Sequence, residues 1–140
     1  MQESSDTGFR QTGLQDNKDS YRGVVSLRYY GELLDPELSN LHIVTAGLGF
    51  RFLSKSSIDL VYHLYRQPHA APFLRDADVK RDPDGVHKAI GQEWDVIIGI
   101  EEWRRFEIKF VGAIFRAGKA FDPEAGKLSY LTSLRLRLNF

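Results

Sequence analysis

An all-β, antiparallel sheet of about six long strands, a segment of a transmembrane β-barrel, is predicted by three observations. Over six stretches apolar side chains keep one parity and polar or small ones the other, the period of a strand with two unlike faces. The stretches run about 10 to 13 residues, matching the ~9–11 of a tilted strand that crosses a bilayer and exceeding the ~5–6 usual in soluble sheets. The connections alternate short and long, as where short periplasmic turns face longer extracellular loops.

Taken in order, the first and weakest stretch is Tyr21 to Tyr30, with Val25, Leu27 and Tyr29 set against Arg22, Ser26 and Arg28. The second places Val44, Ala46, Leu48, Phe50 and Phe52 opposite Thr45, Gly47, Gly49 and Arg51. In the third, Ile58, Leu60, Tyr62 and Leu64 alternate with Ser57, Asp59, Val61, His63 and Tyr65. The fourth sets Trp94, Val96, Ile98 and Ile100 against Glu93, Asp95, Ile97, Gly99 and Glu101, and the fifth sets Phe106, Ile108, Phe110, Gly112 and Ile114 against Glu107, Lys109, Val111, Ala113 and Phe115. The last is the clearest: Leu128, Tyr130, Thr132, Leu134, Leu136, Leu138 and Phe140 against Ser129, Leu131, Ser133, Arg135, Arg137 and Asn139. Leu53 to Ser56 and Glu102 to Arg105 are tight links, whereas Gly31 to Asn40, Gln67 to Ile90 and Ala117 to Lys127 are long and rich in Pro, Gly and Asp. No long helix is needed; ELLDPELSN in the first long loop suits a single turn.

Composition narrows the classes. With 140 residues, 42% hydrophobic and 27% charged, the chain is of one-domain size and is neither disordered nor fibrous. Nineteen basic residues balance nineteen acidic ones, so no global field draws the chain to nucleic acid. The lack of cysteine removes disulfides, thiolate metal sites and cysteine nucleophiles together. No run approaches the ~18 apolar residues of a spanning helix, and residues 1–20 form a polar segment, a loop remnant without a signal-peptide core.

Period alone does not say which face meets water, since a soluble small barrel hides its apolar side chains and a membrane barrel shows them to lipid. Three features favour the membrane arrangement. Aromatic residues gather toward strand ends (Tyr30, Phe50, Phe52, Trp94, Phe106, Tyr130, Phe140), the polar face mixes both charge signs with Gly and Ser, and the final residue is Phe140.

Several stretches resemble the alginate export family of outer-membrane β-barrels, in its C-terminal portion: TGLQDNKDSYRG (Thr12 to Gly23), RYYGELLDPELSNL (Arg28 to Leu41), VYHLYRQ (Val61 to Gln67), GQEWDVIIGI (Gly91 to Ile100) and FRAGKAF (Phe115 to Phe121). YYGELLDPELSNL and the G-x-E-W-D run are the most specific. The resemblance implies a cell outer-membrane, porin-like barrel of roughly eighteen strands that passes acidic polysaccharide out of a Gram-negative cell. Residues 21–140 then form the C-terminal part of the barrel domain, about a third of its strands. Closure needs ~8 strands at the least, so missing N-terminal strands or other copies have to complete the wall, and a fragment or truncated product is the expectation. Expected partners are an anionic polysaccharide, the lipid bilayer and the barrel-assembly machinery, with Phe140 resembling the signal that machinery reads; nucleic acid is not among them.

If the apolar face meets lipid, the lumen receives Arg22, Arg28, Arg51, Asp59, His63, Glu93, Asp95, Glu101, Glu107, Lys109, Arg135 and Arg137. A polyuronate carries a carboxylate on each sugar, and guanidinium groups grip carboxylates bidentately. Arg28, Arg51, Arg135 and Arg137 are therefore the candidate substrate-path rungs, with Lys109 as a point charge and His63 and Tyr65 able to stack on or hydrogen-bond a sugar. Asp59, Glu93, Asp95, Glu101 and Glu107 are the candidate charge-pairing residues, expected to neutralise neighbouring arginines. The plainer reading of all these charges is interstrand pairing without a passenger.

No catalytic constellation emerges, and no cofactor or metal is expected. Asp76, Asp78, Asp82 and Asp84 are spaced like a cation loop, but an EF-hand counted from Asp76 would have Arg81 and His87 where Gly and Glu belong. Gly47-Leu48-Gly49 is a bare G-x-G followed by a strand-like FRF, and no nucleophile-elbow, zinc-protease or P-loop motif occurs. The leading functional reading is passive export of anionic polysaccharide such as alginate, guided by lumen arginines. The alternatives are a soluble β-barrel binding module for a small apolar ligand and a barrel-assembly fragment that transports nothing.

Overall fold

The computed structural model describes residues 18–19, 23–75, 77–79 and 81–140. Five long strands, β3 (His42–Phe52), β4 (Ser56–Arg66), β5 (Ala89–Trp103), β6 (Phe106–Ala117) and β7 (Leu128–Leu138), pair antiparallel in chain order β3-β4-β5-β6-β7. Two short strands, β1 (Lys18–Asp19) and β2 (Leu27–Arg28), pair only with each other.

The alternation is what builds the sheet. Each strand presents one parity to each side, and consecutive strands join through tight turns at one edge, where Leu53 takes φ of 54° at the start of its turn and Arg104 and Arg105 link Trp103 to Phe106. At the other edge lie the longer connections 67–88 and 118–127; the second contains a single 3-10 turn, Lys119–Phe121.

Two irregularities on β5 shift parity. Between Ile100 and Trp103 it carries one residue more than β6, which puts the odd-numbered Trp103 opposite Phe106. Near Gly91 the register against β4 also slips, and the even-numbered Ile90 becomes fully buried.

The two faces have opposite fates. The apolar face is bare: Leu48, Leu134, Leu136 and Leu138 are each 58–65% exposed, beside exposed Phe50, Trp94, Trp103 and Tyr130. Along it, Ala46, Tyr62, Trp94, Ile114 and Tyr130 form one register row, with Tyr62 and Trp94 ring centroids 5.5 Å apart. Trp103, Phe106 and Leu138 form another beside the tight turns, with the Trp103 and Phe106 rings 5.8 Å apart. Tyr130 and Leu138 are eight positions apart on β7, about 27 Å at ~3.4 Å per residue. A ~35–45° tilt reduces this to about 19–22 Å, close to the ~25 Å apolar band of outer-membrane barrels with its aromatic borders. The orientation expected from the aromatic positions is the one found.

The opposite face is covered over β4, β5 and β6, and this corrects the expected sixth strand. Of the expected strand Tyr21 to Tyr30, Tyr21 and Arg22 lie outside the described residues and residues 23–30 do not extend the sheet: Leu27 and Arg28 hold strand pairing with β1, and residues 23–41 instead cross the polar face as a strap. The cause is an apolar landing patch within that face. Val25 and Leu27 bury against Val61, Ile97 and Val111, which sit among charged residues of the same parity. Further along, Leu33, Leu34 and Leu41 pack with Tyr65, Ile90, Phe115 and Phe121. Nor does ELLDPELSN form a helical turn; it runs irregularly over the sheet. Tyr30 consequently lies on the covered side rather than in an aromatic border.

Candidate functional site

Antiparallel register converts parity into rows that cross the covered face. Nearest the tight turns, Arg51, Ser57, Gly99, Lys109 and Arg135 stand opposite one another in succession, a row carrying three cations. Farther toward the long loops come Thr45, His63, Glu93, Phe115 and Ser129, then on the turn side of that row Gly47, Val61, Asp95, Ala113 and Leu131. The basic row, flanked by Asp59 and Glu107, and the acidic pair Glu93 and Asp95 thus occupy separate rows of the polar face.

The acidic part is held by backbone. Glu93, fully buried, accepts from the N–H of Leu33 (2.6 Å) and of Leu34 (3.0 Å) through its two oxygens. Asp95 accepts from the N–H of Glu32 at 3.1 Å, and Glu32 in turn accepts from the N–H of Arg28 at 3.0 Å. Tyr65 donates its hydroxyl hydrogen to the Tyr30 carbonyl at 2.7 Å, and its oxygen lies 3.3 Å from the Glu93 carboxylate. Gly31 makes this approach possible: its φ is 110°, and a Cβ there would lie 2.9 Å from both Glu93 oxygens and collide with the Tyr65 hydroxyl.

The fully buried His63 has Nδ1 2.9 Å from Thr45 Oγ1 and Nε2 3.3 Å from Asp95 Oδ2, without hydrogen-bond geometry at the latter. The turn-side end of the strap is fixed by Val24, whose N–H donates to Ser57 Oγ at 2.8 Å, and by Lys109, which donates to the Ser26 carbonyl.

Set against the sequence expectations, the structure gathers some residues and separates others. Arg51, Lys109 and Arg135 share the basic row; Arg137 meets Glu107 at 3.4 Å on neighbouring strands. Arg28 lies on the strap, 2.8 Å from Asp35 and 3.6 Å from Asp78. Lys109, Arg28 and Arg135 line a small cavity of about 170 Å³ beneath the strap together with Glu32. His63 and Tyr65 lie under the strap rather than on an open wall. Glu93 and Asp95 take backbone amides where arginine partners were expected, because the strap brings N–H groups into a place no guanidinium of the described residues reaches. Asp59 is buried where Gly23 and Gly49 crowd its carboxylate, and Glu101 donates its N–H to the Lys55 carbonyl at 2.9 Å. Phe140 stands exposed just past β7, where the N–H of Asn139 donates to the Arg105 carbonyl at 2.9 Å. Arg22 and Asp76 lie outside the described residues.

At the long-loop edge the charges form exposed local pairs. His87 Nδ1 lies 2.6 Å from Asp84, and that ring hydrogen bond, with the N–H groups of His87 and Val86, holds the Asp84 carboxyl down at about 2. Lys127, 2.9 Å away, lowers Glu124, aided by Arg81. Asp78 and Asp84, two members of the suspected cation loop, thus engage different cationic or imidazole partners.

The alginate export family profile matches residues 2–131. The chain belongs to the alginate export family. It is also similar to alginate production protein AlgE of Pseudomonas aeruginosa, 26% identical over 131 residues that take in 82% of this chain. The chain spans about a quarter of the length of that relative, the match covering 26% of it. Membership bears out the resemblance read from the sequence. Two of the stretches that carried the resemblance are in contact. The amides of Glu32, Leu33 and Leu34 in YYGELLDPELSNL grip the carboxylates of Glu93 and Asp95 in GQEWD.

Sequence reasoning missed Glu32, Thr45, Ser57 and Gly31, and it missed Trp103 on the lipid-type face. Gly31 carried a signal, a glycine between aromatic and acidic residues. The others depended on register and on a bulge.

Proposed function

We propose that this chain is the C-terminal part of an outer-membrane channel through which an anionic polysaccharide such as alginate leaves the cell by passive passage, guided by the row Arg51, Lys109 and Arg135. The observation that carries the reading is the inverted sheet: the leucine-rich face is bare while Asp59, His63, Glu93 and Asp95 are buried on the other. A soluble small barrel would require the reverse, which weighs against the ligand-binding alternative. Guanidinium groups in one row offer successive uronate carboxylates equivalent partners, so that each is held weakly and handed on. The edge strands β3 and β7 each have one neighbour among the described residues, and further strands complete the wall in this reading. The exposed Phe140 fits recognition by barrel-assembly machinery.

The test is planar-bilayer recording on the full-length protein that contains this chain. Polyuronate is expected to block single-channel current from one side, and Arg135→Glu with Arg51→Glu to move ion selectivity from anions toward cations. A protein freely soluble without detergent, or a channel indifferent to both, would sink the proposal.

A further inference from the structure

We infer that the backbone amides of Glu32, Leu33 and Leu34 form a carboxylate-binding site, occupied by the wall's own Glu93 and Asp95, and that a uronate carboxylate of the passenger competes for it and releases the strap. The inference rests on the export reading above and names the ligand chemistry of one site within it.

Three successive N–H groups point at two carboxylates at 2.6, 3.0 and 3.1 Å. This is the geometry in which a backbone nest binds an anion. The occupants are side chains of the wall, and among the described residues neither forms an ion pair with a lysine or arginine. What holds them is therefore chiefly the amides, with the Tyr65 hydroxyl oxygen 3.3 Å from Glu93 and the His63 ring 3.3 Å from Asp95. A uronate presents the same functional group, so exchange swaps one carboxylate for another at the amides while freeing Glu93 and Asp95 to water.

The resident arrangement is also incompletely satisfied, since Asp95 Oδ1 and His63 Nε2 are buried without a hydrogen-bond partner. Opening lets water reach both. Because the carboxylate recurs on every sugar, a departing uronate is replaced from the same chain at high effective concentration, and the strap stays open while polymer is present. With polymer absent, Glu93 and Asp95 close it again over His63 and Tyr65. Gly31 permits the close fit at the hinge of this contact.

These 140 residues contain no cysteine, so with any cysteine elsewhere in the full-length protein replaced by serine, one introduced at the fully buried Leu34 reports release of the strap. The full-length protein carrying Leu34→Cys is treated in detergent micelles with a water-soluble maleimide, with heat-modifiable gel migration as the measure of folding. A hexameric oligouronate is expected to raise the labelling rate on the order of tenfold, a neutral glucan hexamer to leave it unchanged, and Glu93→Gln to raise it with no ligand present. Leu41→Cys, also buried, serves as the reporter where Leu34→Cys does not fold. If Glu93→Gln does not fold, the two oligosaccharide arms decide alone. Labelling indifferent to hexuronate overturns the inference, and so does a rise with Glu93→Gln but none with hexuronate, which would make the carboxylates a fixed clasp. A labelling response without any polyuronate block of current overturns the channel reading instead and leaves the carboxylate site standing.

Discussion

The two ends of the covered face use charge in opposite ways. Toward the tight turns, Arg51 and Arg135 are exposed side chains in register with Lys109. Toward the long loops, Glu93, Asp95 and His63 are sealed beneath the strap, and the two carboxylates accept from its backbone amides. An exposed charge in water contributes little to stability. A buried one is structural, because removing it strands its partners. The sign of a charge on a barrel wall thus says less about its role than whether something already sits on it.

The widest gap between the two ends should appear on truncation. Glu93→Ala leaves the N–H groups of Leu33 and Leu34 without acceptors, at ~1–3 kcal/mol each and about 2–6 kcal/mol together, whereas Arg135→Ala stays within about 0.5 kcal/mol. Urea unfolding followed by heat-modifiable migration measures both, and equal losses would erase the distinction.

The next contrast is between faces rather than ends. Leu134 and Ser133 are neighbours on β7, but Leu134 belongs to the bare apolar face. Leu134→Arg is expected to cost ~2–4 kcal/mol in a bilayer and Ser133→Arg to stay within about 0.5 kcal/mol, both measured by refolding into lipid vesicles.

A smaller effect belongs to Arg137 and Glu107, whose side chains are 54% and 20% exposed. Breaking this pair with Arg137→Ala should cost no more than ~0.2–1 kcal/mol and fade in high salt, which a double-mutant cycle at two ionic strengths reads directly.

Smallest of all is the loop pair Asp84 and His87. Its carboxyl is held below the ordinary 3.8, at about 2, so the contact contributes fully above about pH 4 and is lost as pH falls through about 2. An NMR titration of Asp84 should show that midpoint, and His87→Ala should return it toward the ordinary value. Global stability should scarcely follow, since the pair is exposed.

Much of the fold could be read from the order of residues. The leucines of β7, the alternation on β4 to β6 and the tight links at Leu53 and Arg104 needed only period and turn length. The stretch Tyr21 to Tyr30 misled because Val25, Leu27 and Tyr29 alternate as a strand would, while the patch that captures them, Val61, Ile97 and Val111, comes from three other strands. Trp103 and Ile90 escaped because a bulge changes parity by one residue without leaving a mark in hydrophobicity. The arginine partners assigned to Glu93 and Asp95 went astray because the real donors are main-chain amides, which every residue type carries alike.

By itself, then, the sequence determined which side chains share a face wherever the two-residue period runs unbroken, and favoured an outward apolar face, since period and aromatic strand ends are local properties of the chain. Only the tertiary structure decided which charges stand exposed and which are covered. That depends on pairing register and on where the strap lands, and both are settled by contacts between residues as far apart as Leu33 and Glu93.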